Sequence, residues 1–232
     1  MNLINNTISI VIPFFNEEKT LEQAFNNIYE LKFADQIILV NDGSTDNSLK
    51  IANNLTRNNS NVDLISISEN SGKGNAIQVA LKQVRCNVVG IFDADLEYSA
   101  SDLLALYGVL KDQNFDFILG SRFIGKRQRR NIYSRTYFAN KFLSWLFSVV
   151  HKNKITDIAT CLKIFRIKIL ENVNLENQDF SIEVELVSKL LKNTNNYCEI
   201  PISYTGRTYS EGKKIKFIDG FKYIYAIFKF SI

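Results

Sequence analysis

The sequence predicts an α/β fold, a mostly parallel central sheet covered by helices, and three observations predict it. From Ile8 to Leu119, short β-branched runs alternate with helix-like stretches of about ten residues, the signature of parallel βαβ units. A polar, turn-rich loop follows each run, and in an open α/β sheet the carboxyl ends of the strands gather along one edge. At 232 residues the chain is long enough for one large domain with a real core.

The elements follow in order. Ile8 to Ile12 is a β-branched run that ends at Pro13. Glu17 to Tyr29 places Leu21, Ala24, Phe25 and Ile28 on one helical face, with acids in the first turn where the macrodipole favours them. Gln36 to Val40 reads as a second strand, and Asn41-Asp42-Gly43-Ser44-Thr45-Asp46 then turns into a helix over Asn47 to Arg57. Val62 to Ile67 is a third strand, and Asn70-Ser71-Gly72-Lys73-Gly74 leads into a helix over Asn75 to Val84. The fourth run, Val88-Val89-Gly90-Ile91-Phe92, stops at Asp93-Ala94-Asp95. A helix over Ser101 to Lys111 and a fifth strand, Phe115 to Leu119, lead to Gly120-Ser121-Arg122.

After Arg122 the character changes. The basic cluster Lys126-Arg127-Gln128-Arg129-Arg130 precedes Tyr133, Tyr137, Phe138, Lys141, Phe142, Trp145, Leu146 and Val149 at helical spacing. Such a helix suits a membrane interface, and equally a stripe packed on the domain. A second basic-aromatic stretch runs from Lys213 to Lys229. The chain therefore reads as one domain over 1–232, with two halves of different character that meet at about 125–126.

Composition narrows the chemistry. Three widely spaced cysteines (Cys86, Cys161, Cys198) form neither a disulfide framework nor a zinc pattern, which points to a reducing compartment. With His151 the only histidine, a histidine metal site or a Ser-His-Asp triad has little to work with, so a metal must be held mainly by carboxylates. The net charge of +4 suits phosphate-bearing substrates or an anionic surface without demanding either. The N-terminus lacks a basic n-region and cleavage signature, and the apolar stretch Phe142 to Val150 is too short to span a bilayer. These features predict a cytoplasmic protein that is not integral to the membrane.

Asp93 and Asp95 carry the strongest chemical signal. Two carboxylates at a strand end repel each other unless a positive charge lies between them. A hard divalent cation carrying phosphate oxygens fills that role, because Mg²⁺ keeps much of its shell as water and substrate phosphate. Taken alone, the pair reads equally well as polar residues opening a loop. The other loops of that edge, Pro13 to Glu17, Asn41 to Asp46, Asn70 to Gly74 and Gly120 to Arg122, favour the metal. Ser71-Gly72-Lys73-Gly74 is neither a Walker loop, since Lys73 is not followed by Ser or Thr, nor a dinucleotide fingerprint, since the third glycine is missing.

The segments IVIPFFNEEKTL, VNDGSTDNS, NSGKGNA, FDADLEY and GSR, in this order, resemble the inverting glycosyltransferases typified by dolichyl-phosphate mannose synthase and its bacterial relatives. The resemblance continues through TDIATCLKIFR, FSIEVEL and EIPISYTGRTYSEGKKIKFIDGFK. It implies a GT-A fold with a Rossmann-like sheet, a nucleotide-diphosphate sugar donor, Mg²⁺ or Mn²⁺, and a polyprenyl phosphate acceptor. By that resemblance the half to about 125 binds the nucleotide-sugar and the half from about 126 serves the acceptor. Pro13, Phe14, Asn16 and Glu17 form the nucleotide loop, Asp42 contacts base or ribose, Asp93 and Ala94 contact the nucleotide-sugar, and Asp93 and Asp95 form the metal motif. Lys73 matches the phosphate-side loop, and Arg122 the arginine after the fifth strand. The chain departs from the pattern at Asn41, where aspartate is commonest, and at Glu97, where glutamine is frequent. It departs again at Cys161-Leu162-Lys163, where Ser-Gly-Phe is typical of the mannose synthases.

Within that reading Lys73, Arg122 and Arg207 add positive charge at the diphosphate or acceptor phosphate, with a surface ion pair as the plainer role of each. A saccharide acceptor would need a general base, for which Asp157, Glu183 and Glu185 are candidates. A lipid phosphate needs none, and Asp157 would then orient Arg207 or cap a helix. At least one of Glu183 and Glu185 is expected to be merely solvated. Three other readings stand beside polyprenyl-phosphate transfer at the inner face of the membrane: transfer to a saccharide in cell-surface polysaccharide synthesis, nucleotidyl transfer, and a binding module without activity. No feature calls for nucleic acid, and the oligomeric state is not encoded in any motif.

Overall fold

A computed structural model describes residues 6–131, 133–207 and 217–231. The first half alternates strand and helix: β1 (Ile8–Phe14), α1 (Leu21–Tyr29), β2 (Gln36–Asp42), α2 (Ser48–Arg57), β3 (Val62–Ile67), α3 (Lys73–Leu81), β4 (Val88–Ile91), α4 (Ala100–Asp112) and β5 (Phe117–Ser121). The second half adds β6 (Arg129–Arg130), α5 (Ser134–His151), β7 (Lys163–Arg166), α6 (Ile182–Asn193), β8 (Tyr197–Pro201), β9 (Tyr204–Thr205) and α7 (Phe217–Lys229).

Seven strands form one sheet in the order β3-β2-β1-β4-β7-β5-β8, parallel throughout except for β7, which runs against β4 and β5. The central strands β1, β2, β4 and β5 are buried along their whole length, as their apolar runs require. Helices α1, α2 and α4 pack together, and α3, α6, α7 and α5 form a second chain of contacts. Strands β6 and β9 make a separate two-stranded ribbon beside the edge. No described helix is long and apolar enough to cross a membrane.

Several boundaries differ from expectation for physical reasons. Strand β1 continues through Pro13 to Phe14. The Val11 carbonyl accepts from Phe92 on the β4 side, so Pro13, two residues on, faces the same side beyond the end of β4, where its missing N–H costs no ladder bond. Helix α3 begins at Lys73, two residues earlier than expected, which places a lysine in the first turn against the helix dipole. Two carboxylates, described below, compensate it. The antiparallel β7 was not foreseen. It enters the sheet with Lys163 between Ile91 at the end of β4 and Leu119 of β5.

Candidate functional site

The carboxyl ends of β1, β2, β4 and β5 converge as expected, and side chains lace their loops together. Asn16, in the left-handed region at φ +51, donates its amide to Ser44 Oγ at 3.0 Å and accepts from the Thr45 amide at 2.8 Å. Asp42 accepts from the amides of Ser71 and Gly72 at 2.9 and 2.8 Å. Both of its oxygens are thus engaged in joining the β2 loop to the start of α3. Gly72 sits at φ +94, and a Cβ there would lie 2.4 Å from the Gln178 carbonyl, so only glycine lets this loop meet residues 178–179. Pro13, Phe14 and Ala94 are buried in the floor of the edge.

Lys73 ends between two acids. Its Nζ lies 2.7 Å from Asp93 Oδ1 and 2.8 Å from Glu183 Oε1. Burial opposes the ammonium charge, but Asp93 foremost outweighs it and holds the Lys73 pKa well above the usual lysine range. From the other side Lys163 Nζ donates to Glu183 Oε2 and to the Thr160 carbonyl. Lys163 is fully buried and Glu183 nearly so.

Two more carboxyl groups follow Asp93, those of Asp95 and Glu97. The Asp95 carboxyl is pushed up to about 8 by burial and by the charges of Asp93 and Glu97, against the pull of Arg207. Arg207 clamps this corner. Its Nε donates to the Asp95 carbonyl at 2.9 Å, and its two terminal nitrogens donate to Glu17 Oε1 and Oε2 at 3.1 and 2.6 Å. The Arg207 amide and the Tyr204 hydroxyl both donate to Glu97, at 2.7 and 2.6 Å.

Arg122 is held apart from that corner. Its Nε and Nη2 donate to the two oxygens of Asp157 at 2.7 and 2.8 Å, and its backbone amide donates to Oδ2 at 3.0 Å. Burial works against the guanidinium charge, but fully enclosed Asp157 outweighs it. Glu199 in turn accepts from the amides of Thr156 and Asp157, fixing the loop that carries the carboxylate. Asp157 therefore orients Arg122, and Glu17 orients Arg207, in place of the expected Asp157–Arg207 relation. Neither acid of α6 is merely solvated: Glu185 is enclosed, accepts from the amides of Glu176 and Asn177 at 2.7 Å each, and pairs with Lys189. Lys213 and Lys214 lie outside the described residues.

The contacts of three charged groups are not expected from the sequence: Lys163, Glu199 and Glu183 as a shared counter-ion. Their signal was present only as charge inside apolar surroundings, since Glu183 and Glu185 alternate with Ile182, Val184 and Leu186 on a helix that is buried nearly all round. Among the described residues no three carboxylate, histidine or cysteine side chains converge as a complete metal cage. Asp93 and Asp95, one residue apart just past the end of β4, instead offer a partial oxygen donor set. That set fits a hard divalent cation whose remaining positions are filled by water and phosphate oxygens.

The chain is 27% identical over 244 aligned positions to the UDP-N-acetylglucosamine–dolichyl-phosphate N-acetylglucosaminyltransferase of Methanococcus voltae, covering 97% of this chain and 96% of that protein. It is 26% identical over 215 positions to the undecaprenyl-phosphate 4-deoxy-4-formamido-L-arabinose transferase of Proteus mirabilis, covering 90% of this chain and 63% of that one. Among solved structures, glucosyl-3-phosphoglycerate synthase of Mycobacterium tuberculosis, crystallised with Mn²⁺, UDP-glucose and phosphoglyceric acid, superposes with a TM-score of 0.77. That match covers 97% of this chain and 80% of that one at 16% identity, and establishes the shared GT-A fold. The model of Glycosyl transferase family 2 matches residues 9–173, so the chain belongs to that family and is a glycosyltransferase.

Proposed function

We propose that the protein transfers a sugar, with inversion, from a nucleoside diphosphate sugar to a polyprenyl phosphate at the cytoplasmic face of a membrane. The observation that carries this reading is the carboxyl edge of the sheet. There Asp93, Asp95 and Glu97 meet Lys73 and Arg207, and the loops of β1, β2 and α3 close around them. The length-wide likeness to a dolichyl-phosphate transferase supports the lipid acceptor.

In this reading Asp93 and Asp95 would hold Mg²⁺ or Mn²⁺. Bound there, the cation supplies Lewis-acid charge to the departing diphosphate. Lys73 stands beside the same carboxylate and adds a second positive charge for the diphosphate oxygens, while Glu183 keeps it from collapsing onto Asp93 alone. Asn16 and Asp42 hold the nucleotide-side loops in register through the contacts given above. Arg207, tied to Glu17 and to the Asp95 carbonyl, fixes the backbone that presents Asp95. Arg122, fixed by Asp157, lies with its guanidinium 5.0 Å from the centre of the Tyr204 ring and braces the segment leading to Arg207. A phosphate acceptor is already anionic, so attack at the sugar carbon requires no base. This leaves Asp157 free for its role as the partner of Arg122.

The acceptor's membrane is met through α5 and α7. On α5, Phe138, Phe142, Trp145 and Val149 recur at helical spacing, each more than half exposed, opposite the buried Leu143 and Phe147. Tyr225 and Phe228 of α7 add to the exposed apolar set, and the two helices pack together. Helix α5 carries Arg135 and Lys141 and no acid, which suits an anionic interface along its length of about 27 Å.

A donor screen with a short polyprenyl phosphate and Mg²⁺ or Mn²⁺, scored for nucleoside diphosphate and glycolipid, tests the reading. Glycolipid formation is expected. Product with saccharide acceptors only would overturn the lipid acceptor.

A further inference from the structure

Lys163 stands where the resembling mannose synthases carry an aromatic residue, and it is the one fully buried lysine among the described residues. Its place follows from topology. Strand β7 enters the sheet antiparallel, so its first residue lies beside Ile91, the last residue of β4, directly before the Asp93 turn. The ammonium does not reach solvent. It donates to the Thr160 carbonyl and to Glu183 Oε2, while the other oxygen of Glu183 faces Lys73 at 2.8 Å and Lys73 faces Asp93 at 2.7 Å. The four groups form one line from the interior to the cleft: Lys163, Glu183, Lys73, Asp93.

Charge along that line has a consequence. Glu183 is a single carboxylate shared by two ammonium groups, so Lys73, Glu183 and Lys163 together carry a net charge of +1. Without Lys163, Lys73 and Glu183 would cancel, and an anion arriving at Lys73 would meet a neutral pair. A buried lysine is costly unless paired, and Lys163 takes the one oxygen of Glu183 that Lys73 does not face. We infer that Lys163 is a positioning residue that neutralises Glu183 from beneath, so that Glu183 does not cancel the Lys73 ammonium where it meets the donor's diphosphate. This inference rests on the donor reading of the site proposed above.

The experiment measures binding of UDP and GDP, and of uridine and guanosine, by titration calorimetry at low and moderate salt, with Mn²⁺ present and absent. Wild type is compared with Lys163→Met, Glu183→Gln and the double variant, and circular dichroism checks each for folding. The formal charge of the line without Asp93 is +1 in wild type, 0 in Lys163→Met, +2 in Glu183→Gln and +1 in the double variant. Diphosphate affinity is expected to follow that order. Lys163→Met should lose about tenfold with a shallower salt dependence, the double variant should recover, and nucleoside affinity should stay constant throughout. If Lys163→Met does not fold, the comparison moves to the glutamine background, where Glu183→Gln should bind the diphosphate more tightly than the double variant. Equal diphosphate affinity with and without Lys163, or an equal loss for nucleoside and diphosphate, would overturn the inference while leaving the donor reading intact. Failure of wild type to bind either diphosphate would overturn the donor reading and this inference with it.

Discussion

Arg207 and Glu17, separated by 190 residues in the chain, meet in a two-pronged ion pair at 3.1 and 2.6 Å. The pair joins the loop after β1 to the segment after β9, across the mouth of the edge that carries Asp95. A guanidinium can span both carboxylate oxygens while also reaching the Asp95 carbonyl; an ammonium cannot.

Arg207→Lys is therefore expected to lose the fork while keeping the charge. The loss of one charge-assisted bond, about 2 kcal/mol, corresponds to a melting temperature lower by about 4–8 °C in a chain of this size. The transfer rate should fall further than that destabilisation explains, because the Asp95 backbone loses its brace. Calorimetry and initial rates on the same preparation separate the two effects.

Asp157 supplies both oxygens to Arg122 from a fully enclosed position. Removing one member of a buried pair leaves the other charged and unmatched, which costs about 3 kcal/mol or more. Asp157→Ala should lower stability by that amount in urea unfolding. Glu199→Gln should lower it less, since an amide oxygen still accepts from the Thr156 and Asp157 amides.

The buried His151 ring stacks on Phe147 at 4.0 Å between centroids, and its Nε2 donates to the Ile227 carbonyl at 3.0 Å, tying α5 to α7. Nδ1 has no partner, so the folded state holds the neutral ring. Burial, with Lys192 adding to it, pushes the histidine pKa below its usual 6.5. The unfolded chain then binds the proton more readily. This contribution to stability is present above pH 6.5 and lost as the pH falls from 6.5 through the lower folded value. His151→Phe should melt lower than wild type at pH 7.5, and the gap should narrow toward pH 5.5.

Trp145 is the only tryptophan and lies on the exposed face of α5, which makes it a reporter of that face. Vesicles containing anionic lipid are expected to shift its emission to the blue, and neutral vesicles to shift it less. Phe138→Ser with Phe142→Ser should abolish the shift without lowering the melting temperature, since both side chains are more than half exposed. An unchanged spectrum with either vesicle would contradict membrane contact through this face.

Local patterning made most of the first half legible. The runs that became β1 to β5 and the loops after them could be read because each is contiguous and its period is its own. Lys163 could not be read that way. In KIFR nothing local says that the strand runs antiparallel between β4 and β5, and only that pairing carries the lysine to the Asp93 edge. The partners of Arg122 and Arg207 were likewise hidden, because an arginine's sequence neighbours say nothing about a carboxylate 35 or 190 residues away. For α6 the clue was present: acids flanked on both sides by aliphatic residues imply burial with a counter-ion rather than solvation.

In the proposed reaction the sugar leaves its nucleoside diphosphate at the Asp93–Asp95 edge and arrives on a lipid phosphate. Transfer from the preferred donor to a short polyprenyl phosphate in Mn²⁺, comparing wild type with Asp95→Ala and scoring the glycolipid itself, measures both events. Glycolipid from wild type, with a rate lower by about a hundredfold or more in Asp95→Ala, is the expected result. Undiminished transfer by Asp95→Ala would contradict the proposal.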